Sequence, residues 1–190
     1  MSGGRPGATL VTSTREDPEM LTTPTLTVRE LGPQDGAVLD AVFAGLSTVS
    51  RFRRFHGAMP RMPDPIRERL AAVDGRGHLA LGAFVDGEPV GIARLITIGL
   101  GRADLAVEVV DDWQGNGIGA RLVREVVALG QARGITEVVA EVLAENTAMR
   151  RVLATTFPDL VVTDSGPEIT YVGRAAPRDG GRRTWRAAAA

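Results

Sequence analysis

The chain has 190 residues, 44% of them hydrophobic, with a net charge of −1 and no cysteine. One folded domain is expected, and the balanced charge provides no basic surface for nucleic acid. The lack of cysteine excludes disulfides, thiolate metal sites and a cysteine nucleophile, and with two histidines no metal site is expected.

Apolar runs and chain ends indicate where the protein resides and where its domain lies. No run approaches the roughly 20 apolar residues that span a bilayer, and the N-terminus lacks the apolar segment of a signal peptide. We therefore expect a soluble, cytoplasmic protein with no membrane partner. Residues 1–23 and 175–190 are rich in small and polar residues without apolar periodicity. They are predicted to be disordered tails around a domain at 24–174.

The first half of the domain is predicted to hold one strand and two helices. Residues 25–31 alternate between polar and apolar side chains and end at Gly32-Pro33, which is typical of a half-buried strand. Apolar residues then recur at helical spacing over 37–46. A second helix is predicted over 64–73, because Pro65 suits a first helical turn.

A meander of three strands follows, over 78–85, 89–98 and 103–110, with Asp86-Gly87 as a hairpin turn. Ile118 opens a helix whose apolar stripe ends before Gly134. The remaining elements are predicted as a strand at 136–143, a helix at 146–156, and strands at 160–162 and 168–172. The fold class is thus α/β (α+β), in the order β-α-α-β-β-β-α-β-α-β-β.

The most informative motif is the glycine-rich turn that joins the third meander strand to the next helix. It reads Gln114, Gly115, Asn116, Gly117, Ile118, Gly119, Ala120. The first turn of a helix has unpaired N–H groups and the positive end of the helix dipole, and glycines let phosphate oxygens approach the backbone. The turn is therefore predicted to bind an anion such as a pyrophosphate.

Two other interpretations of this turn exist. It could join strand to helix without binding anything. It also fits the dinucleotide fingerprint as Gly115-x-Gly117-x-x-Ala120, with Glu137 at the spacing of the ribose-binding acid, which would indicate an oxidoreductase. That fingerprint opens a βαβ unit directly after a strand, whereas here residues 111–114 intervene and antiparallel strands precede.

The pattern Gln114-x-x-Gly117-x-Gly119 resembles the signature of the GNAT acetyltransferase superfamily, and the order of elements over 25–173 resembles its fold. The resemblance implies a mixed, mostly antiparallel central sheet flanked by helices, and acetyl-CoA as cosubstrate. It implies that residues 114–120 hold the pyrophosphate. The pantetheine arm would then pair with the backbone of Val107, Val109 and Val110.

Two further segments bear on the coenzyme and the acceptor. Asn146 matches the asparagine that contacts the coenzyme in the family, and it is equally suited to cap the helix that it opens. Residues 46–55 are similar to the first-helix region of bacterial Pat-type protein lysine acetyltransferases. Their arginines, Arg51, Arg53 and Arg54, could contact an acidic acceptor or the coenzyme phosphates, or could form a solvated helix face.

Two carboxylates are candidates for the general base. Strand alternation places Asp104, Ala106 and Glu108 on one face, and the resemblance implies that a carboxylate of this strand, Glu108 or Asp104, assists the attacking amine. Both could instead be solvated acids. Leu153 stands where many members of the family have a tyrosine that protonates the thiolate, so either water supplies this proton or catalysis is weak.

The function predicted from the sequence is transfer of an acetyl group from acetyl-CoA to a primary amine, on a protein lysine or a small molecule. The alternative is an acyl-CoA-binding sensor or scaffold with weak catalysis. His56 and His78 are expected to be ordinary surface or half-buried histidines. Many relatives form homodimers, and the sequence leaves the oligomeric state open.

Overall fold

A computed structural model describes residues 24–164 and 166–175. The tails predicted at 1–23 and 175–190 lie outside these ranges, except for Ala175. That residue was assigned to the tail but is buried in the core, and its N–H donates a hydrogen bond to the Thr136 carbonyl (3.1 Å).

The described elements agree with the predicted order, with one helix more than predicted. They are β1 Leu26–Glu30, α1 Gly36–Ala44, α2 Thr48–Phe55, α3 Asp64–Ala71, β2 His78–Val85, β3 Glu88–Gly99, β4 Arg102–Val109, a 3-10 turn Asp111–Trp113, α4 Ile118–Ala132, β5 Glu137–Leu143, α5 Thr147–Thr156, β6 Val161–Asp164 and β7 Glu168–Arg174. The α/β class is thereby confirmed.

The additional helix is α2, so three helices, not two, lie in the fully described stretch between β1 and β2. It has no buried residue and carries three arginines among its eight residues. Its local signal is Ser47, whose side chain caps the helix by accepting a hydrogen bond from the Ser50 N–H (3.2 Å).

Within the described ranges, the strands form one seven-stranded sheet in the order β1-β2-β3-β4-β5-β7-β6. Neighbours are antiparallel except β4 and β5, which are parallel and pair over Arg102–Asp104 with Glu137–Val139. The rest of β4 and β5 have no register with each other. The two strands therefore separate after Asp104 and leave a gap in the middle of the sheet.

Helices cover both faces of this sheet. Apolar residues of α4 and α5, including Leu122, Val126 and Leu153, pack on one face. On the other face, Leu39 and Val42 of α1 and Leu70 of α3 form a smaller cluster with residues of β2 and β3. No helix of the described part is long and apolar enough to cross a membrane.

Candidate functional site

A cleft of about 630 Å³ opens where β4 and β5 separate. We name it the main cleft; it is lined by residues 104–109 of β4, the glycine-rich turn, and Glu141 and Val142 of β5. All the predicted site residues line it except Val110 and Asn116. Motifs that are separate in the sequence thus converge on one concave surface.

The exposed edge of β4 offers backbone hydrogen bonds to this cleft. The Val110 N–H donates to the Val90 carbonyl of β3 (2.9 Å), and in an antiparallel pair such bonds recur at every second residue. The backbone groups of Val107 and Val109 therefore face the gap. Val110 is fully engaged, because its carbonyl accepts from the Trp113 N–H (2.9 Å).

The glycine-rich turn forms an open cradle at the start of α4. Gly115 and Gly117 have φ angles of 78° and 80°, and a Cβ atom on either would meet no heavy atom within 4 Å beyond its chain neighbours. Within the described residues, the N–H groups of Ile118, Gly119 and Ala120 have no acceptor. Such a set of donors at a helix N-terminus suits a phosphate group.

Gln114 braces the cradle from outside. Its side-chain amide donates hydrogen bonds to the carbonyl of Val109 (2.9 Å), to Ser50 Oγ (3.1 Å) and to Asp111 Oδ1 (3.3 Å). These contacts join the turn to β4 and α2. The sequence prediction placed Gln114 among the coenzyme-binding residues, and this geometry shows how its side chain holds the loop in position.

Asn146 is the N-cap of α5, as its residue type predicts. Its side-chain oxygen accepts a hydrogen bond from the Met149 N–H (3.1 Å). Asn146 also lines the main cleft, so a contact with the coenzyme stays a prediction.

Glu108 lies buried between two arginines. Its carboxylate accepts from Arg94 Nη1 of β3 (2.5 Å) and from Arg54 Nε of α2, and the residue is only 7% exposed. Burial acts to raise the pKa of Glu108, but Arg54 and Arg94 together lower it by more. The pKa of Glu108 therefore lies below its ordinary value. A carboxylate held as an anion by two guanidinium groups is a weak base.

Asp104 has the opposite environment. It is half-buried and lines the main cleft, and it makes no hydrogen bond or ion pair with any described residue. Burial raises the pKa of the Asp104 carboxyl; Arg54 and His56 act against this rise and Glu141 adds to it. A cleft carboxylate with a raised pKa is better matched to accept a proton near neutral pH.

The two histidines lie on different sides of the site. His56 is half-buried, and its Nδ1 lies 3.0 Å from Glu168 Oε1. His78 is buried rather than superficial, because β2 is covered along its whole length. Burial, and secondarily Arg94, lowers the pKa of His78, so the ring is neutral at pH 7.

The main cleft is not lined by Leu153, which stands at the position of the family's tyrosine, or by Tyr171. Leu153 is 1% exposed and belongs to the core between α4, α5 and the sheet. The Tyr171 hydroxyl, on β7, accepts a hydrogen bond from Arg150 Nε (3.0 Å).

Sequence reasoning missed a second cavity, of about 610 Å³, that adjoins the main cleft. The two share Arg54, Arg69, Asp104, Ala106 and Glu141. Arg69 lies on the exposed side of α3 and Glu141 on β5, and neither stands in a motif. Their proximity depends on how α3 packs against the sheet, which no local pattern encodes.

Comparison with known proteins identifies relatives of this architecture. A family model described as the acetyltransferase (GNAT) family matches residues 46–157. An acetyltransferase of Pseudomonas aeruginosa is 32% identical over 110 residues, which are 55% of this chain and 59% of the relative. The chain thus spans about three fifths of the length of this curated relative.

Solved structures agree with the family match. The GNAT domain of PAT from S. lividans superposes with a TM-score of 0.71 and 25% identity, over 77% of this chain and 89% of that domain. The PaiA N-acetyltransferase of Thermoplasma acidophilum, solved in complex with coenzyme A, has a TM-score of 0.60 at 17% identity, over 79% and 99% of the two chains. The second likeness shows the fold.

Proposed function

Because the chain belongs to the GNAT acetyltransferase family, which the match over more than half of its length shows, we propose that it moves an acetyl group from acetyl-CoA to a primary amine with Asp104 as general base. The observation that carries this proposal is the main cleft itself. One end of the cleft is the open cradle of N–H donors. The other end holds the carboxylate of Asp104, which has no hydrogen-bond partner among the described residues.

The residues of the cleft fit acetyl-CoA. In this proposal, the N–H groups of Ile118, Gly119 and Ala120 bind the pyrophosphate, where the dipole of α4 favours negative charge. The edge of β4 at Val107 and the N–H of Val109 pair with the amide groups of the pantetheine arm. Asn146, at the start of α5, contacts the coenzyme from the other wall.

Acetyl-CoA supplies the thioester: the amine nitrogen forms a bond to the carbonyl carbon, the C–S bond breaks with its electrons on sulfur, and the nitrogen loses a proton. Asp104 accepts that proton, because it lines the cleft and its pKa is raised. Glu108 is assigned a different task. Its two ion pairs tie α2 to β3 and β4 and so hold one wall of the cleft.

The thiolate needs a proton as it leaves. No tyrosine lines the main cleft as the described residues form it. A thiol has an ordinary pKa of about 8.5, so the thiolate can take its proton from water at neutral pH. Solvent protonation is therefore part of the proposal.

Coenzyme binding is tested by a matched pair of glycine substitutions. Gly117 and Gly134 both have positive φ angles, of 80° and 88°, and open space around a new Cβ. Alanine at either position is expected to cost about 1 kcal/mol of stability through backbone strain. Gly117→Ala alone should also weaken acetyl-CoA binding in calorimetric titration, because its methyl group would occupy the cradle. Equal affinity of the two variants would contradict the assignment of the cradle.

The function itself is tested by titrating the protein with acetyl-CoA and then following thiol release with added amines. The chain has no cysteine, so every thiol signal comes from coenzyme A. Binding with acceptor-dependent release supports the acetyltransferase. The lack of a cleft tyrosine favours a second candidate, a coenzyme sensor with weak catalysis, for which binding without release is the expected result. No binding would overturn both.

A further inference from the structure

The second cavity lies directly behind the proposed base. It is lined by residues from α2, α3 and β2 to β5, and it shares Asp104 and Ala106 with the main cleft, which also contains the turn that would hold the coenzyme. Because Asp104 lines both spaces, a molecule in the second cavity would present its reactive end to the same carboxylate that faces the thioester. An amine acceptor bound in this cavity would therefore lie against the base of the proposed function.

Three charged side chains of this cavity make no ion pair or hydrogen bond among the described residues: Asp104, Glu141 and Arg69. Charges of both signs therefore face one space, and no nitrogen of Arg69 lies within 4.0 Å of a carboxylate oxygen of Asp104 or Glu141. The same residue types do pair elsewhere. Arg67, on the same helix as Arg69, pairs with Asp40 of α1 (2.5 Å). The separation of these charges leaves both signs available to a ligand.

Other residues of the cavity add apolar walls and unsatisfied polar atoms. Leu70, Ile96 and Val139 supply hydrocarbon surface. His78 Nε2 and Arg94 Nε are buried without a hydrogen-bond partner in the described structure, and the two residues are 7% and 1% exposed. Buried polar atoms normally have partners, so these two atoms are exceptions within the described structure.

We propose that the acceptor is a small zwitterionic amine, that is, an amine that carries its own carboxylate, as amino acids do. This inference rests on the proposed acetyl transfer and specifies its substrate class. The amine nitrogen lies at Asp104 and Glu141, whose negative charge attracts its ammonium form. The carboxylate lies at Arg69, whose planar guanidinium can donate two parallel hydrogen bonds to it.

The arrangement also predicts which amines are poor acceptors. A lysine side chain within a protein carries no carboxylate at its amine-bearing end, so Arg69 would gain no partner from it. An amino acid amide places the same nitrogen at Asp104 but leaves Arg69 without an anion. Both should react with lower kcat/KM than the matching free acid, because the charge-assisted hydrogen bonds are lost.

The test measures thiol release from acetyl-CoA with amino acids of increasing distance between amine and carboxylate, with their amides, and with a lysine peptide. We expect at least one free acid to exceed its amide about 10- to 100-fold in kcat/KM. Arg69→Gln should abolish that preference by raising KM for the acid, while the amide and acetyl-CoA keep their values. Arg61→Gln is the control, since Arg61 is exposed and lines neither space.

Each outcome decides one question. Amides or the lysine peptide reacting as well as the free acids, or an Arg69→Gln variant that keeps the preference, would overturn the zwitterion inference and leave acetyl transfer standing. Coenzyme binding with no release from any free acid would overturn the inference as well. Failure to bind acetyl-CoA would instead reject the proposed function on which the inference rests.

Discussion

Replacing Asp104 with asparagine is expected to lower kcat by about 10²- to 10⁴-fold, the usual contribution of a positioned general base. Asparagine keeps the size of the side chain and removes its capacity to accept the proton. The acetyl-CoA dissociation constant should stay unchanged, because the cradle at the start of α4 does not involve this residue. Steady-state thiol release and calorimetric titration measure the two quantities.

The pH dependence gives a sharper test of the same residue. Burial raises the pKa of Asp104, so in the wild type the base becomes protonated, and inactive, at a higher pH than an ordinary aspartate. The ratio of wild-type to Asp104→Asn rates should therefore be large at neutral pH and approach one as the pH falls. This ratio cancels the titration of the acceptor amine, which affects both proteins alike.

An exposed carboxylate nearby provides the control for these measurements. Asp112 lies in the 3-10 turn after β4 and does not line the main cleft, so Asp112→Asn should retain wild-type rates. An Asp104→Asn variant with near-normal kcat would show that another group, or water alone, removes the proton.

Replacing Glu108 with glutamine is expected to destabilise the protein by about 3–5 kcal/mol, as removal of one partner from a buried ion pair does. The Arg94 side chain is 2% exposed, so its charge would remain buried without an anion. Chemical denaturation followed by circular dichroism measures the loss. Asp40→Asn is the control, because it removes the anion of an exposed ion pair: the side chains of Asp40 and Arg67 are 47% and 41% exposed. This substitution should cost about 0–1 kcal/mol of stability.

A double substitution tests whether charge is the cause. Glu108→Leu combined with Arg94→Met replaces the buried pair with apolar groups, and such exchanges are often close to neutral. The double variant should therefore be more stable than Glu108→Gln, since Arg54 is partly exposed and can reach water. If Glu108→Gln costs no more than Asp40→Asn, the buried cluster does not stabilise the fold.

The ion pairs of Glu108 should also be lost at acidic pH, and the direction of its pKa shift indicates the pH range. Arg54 and Arg94 outweigh burial and lower the pKa of Glu108 in the folded state. Its stabilisation is therefore complete above the unfolded pKa of about 4.3 and disappears as the pH falls through the lower folded value. The difference in unfolding free energy between wild type and Glu108→Gln should shrink over that acidic range.

Local patterns in the sequence were sufficient for most of the fold. Strand-like runs joined by short turns predicted the meander, and the apolar stripe from Ile118 predicted α4. Gly134, placed after that helix, has the left-handed conformation that this position favours. The helix α2 was not resolved as a separate element, since polar and cation–π contacts hold it in place, such as Arg51 over the Phe43 ring at 4.3 Å.

The candidate site divides in the same way. Gly115, Gly117 and the start of α4 are contiguous in the chain, and the cradle follows from backbone conformation and unpaired N–H groups, so the sequence by itself determined its place. The family resemblance rests on the same short segment together with the order of elements. Contiguous residues need no knowledge of packing to be recognised.

Only the tertiary structure separated the roles proposed for Asp104 and Glu108. The two share one strand face, and alternation treats them as equivalent. Arg94 arrives from β3 and Arg54 from α2 to neutralise Glu108, whereas Asp104 lies beside the gap between β4 and β5. Proton affinity depends on burial and on charges brought in from distant parts of the chain, and it is therefore decided by packing rather than by residue type or spacing.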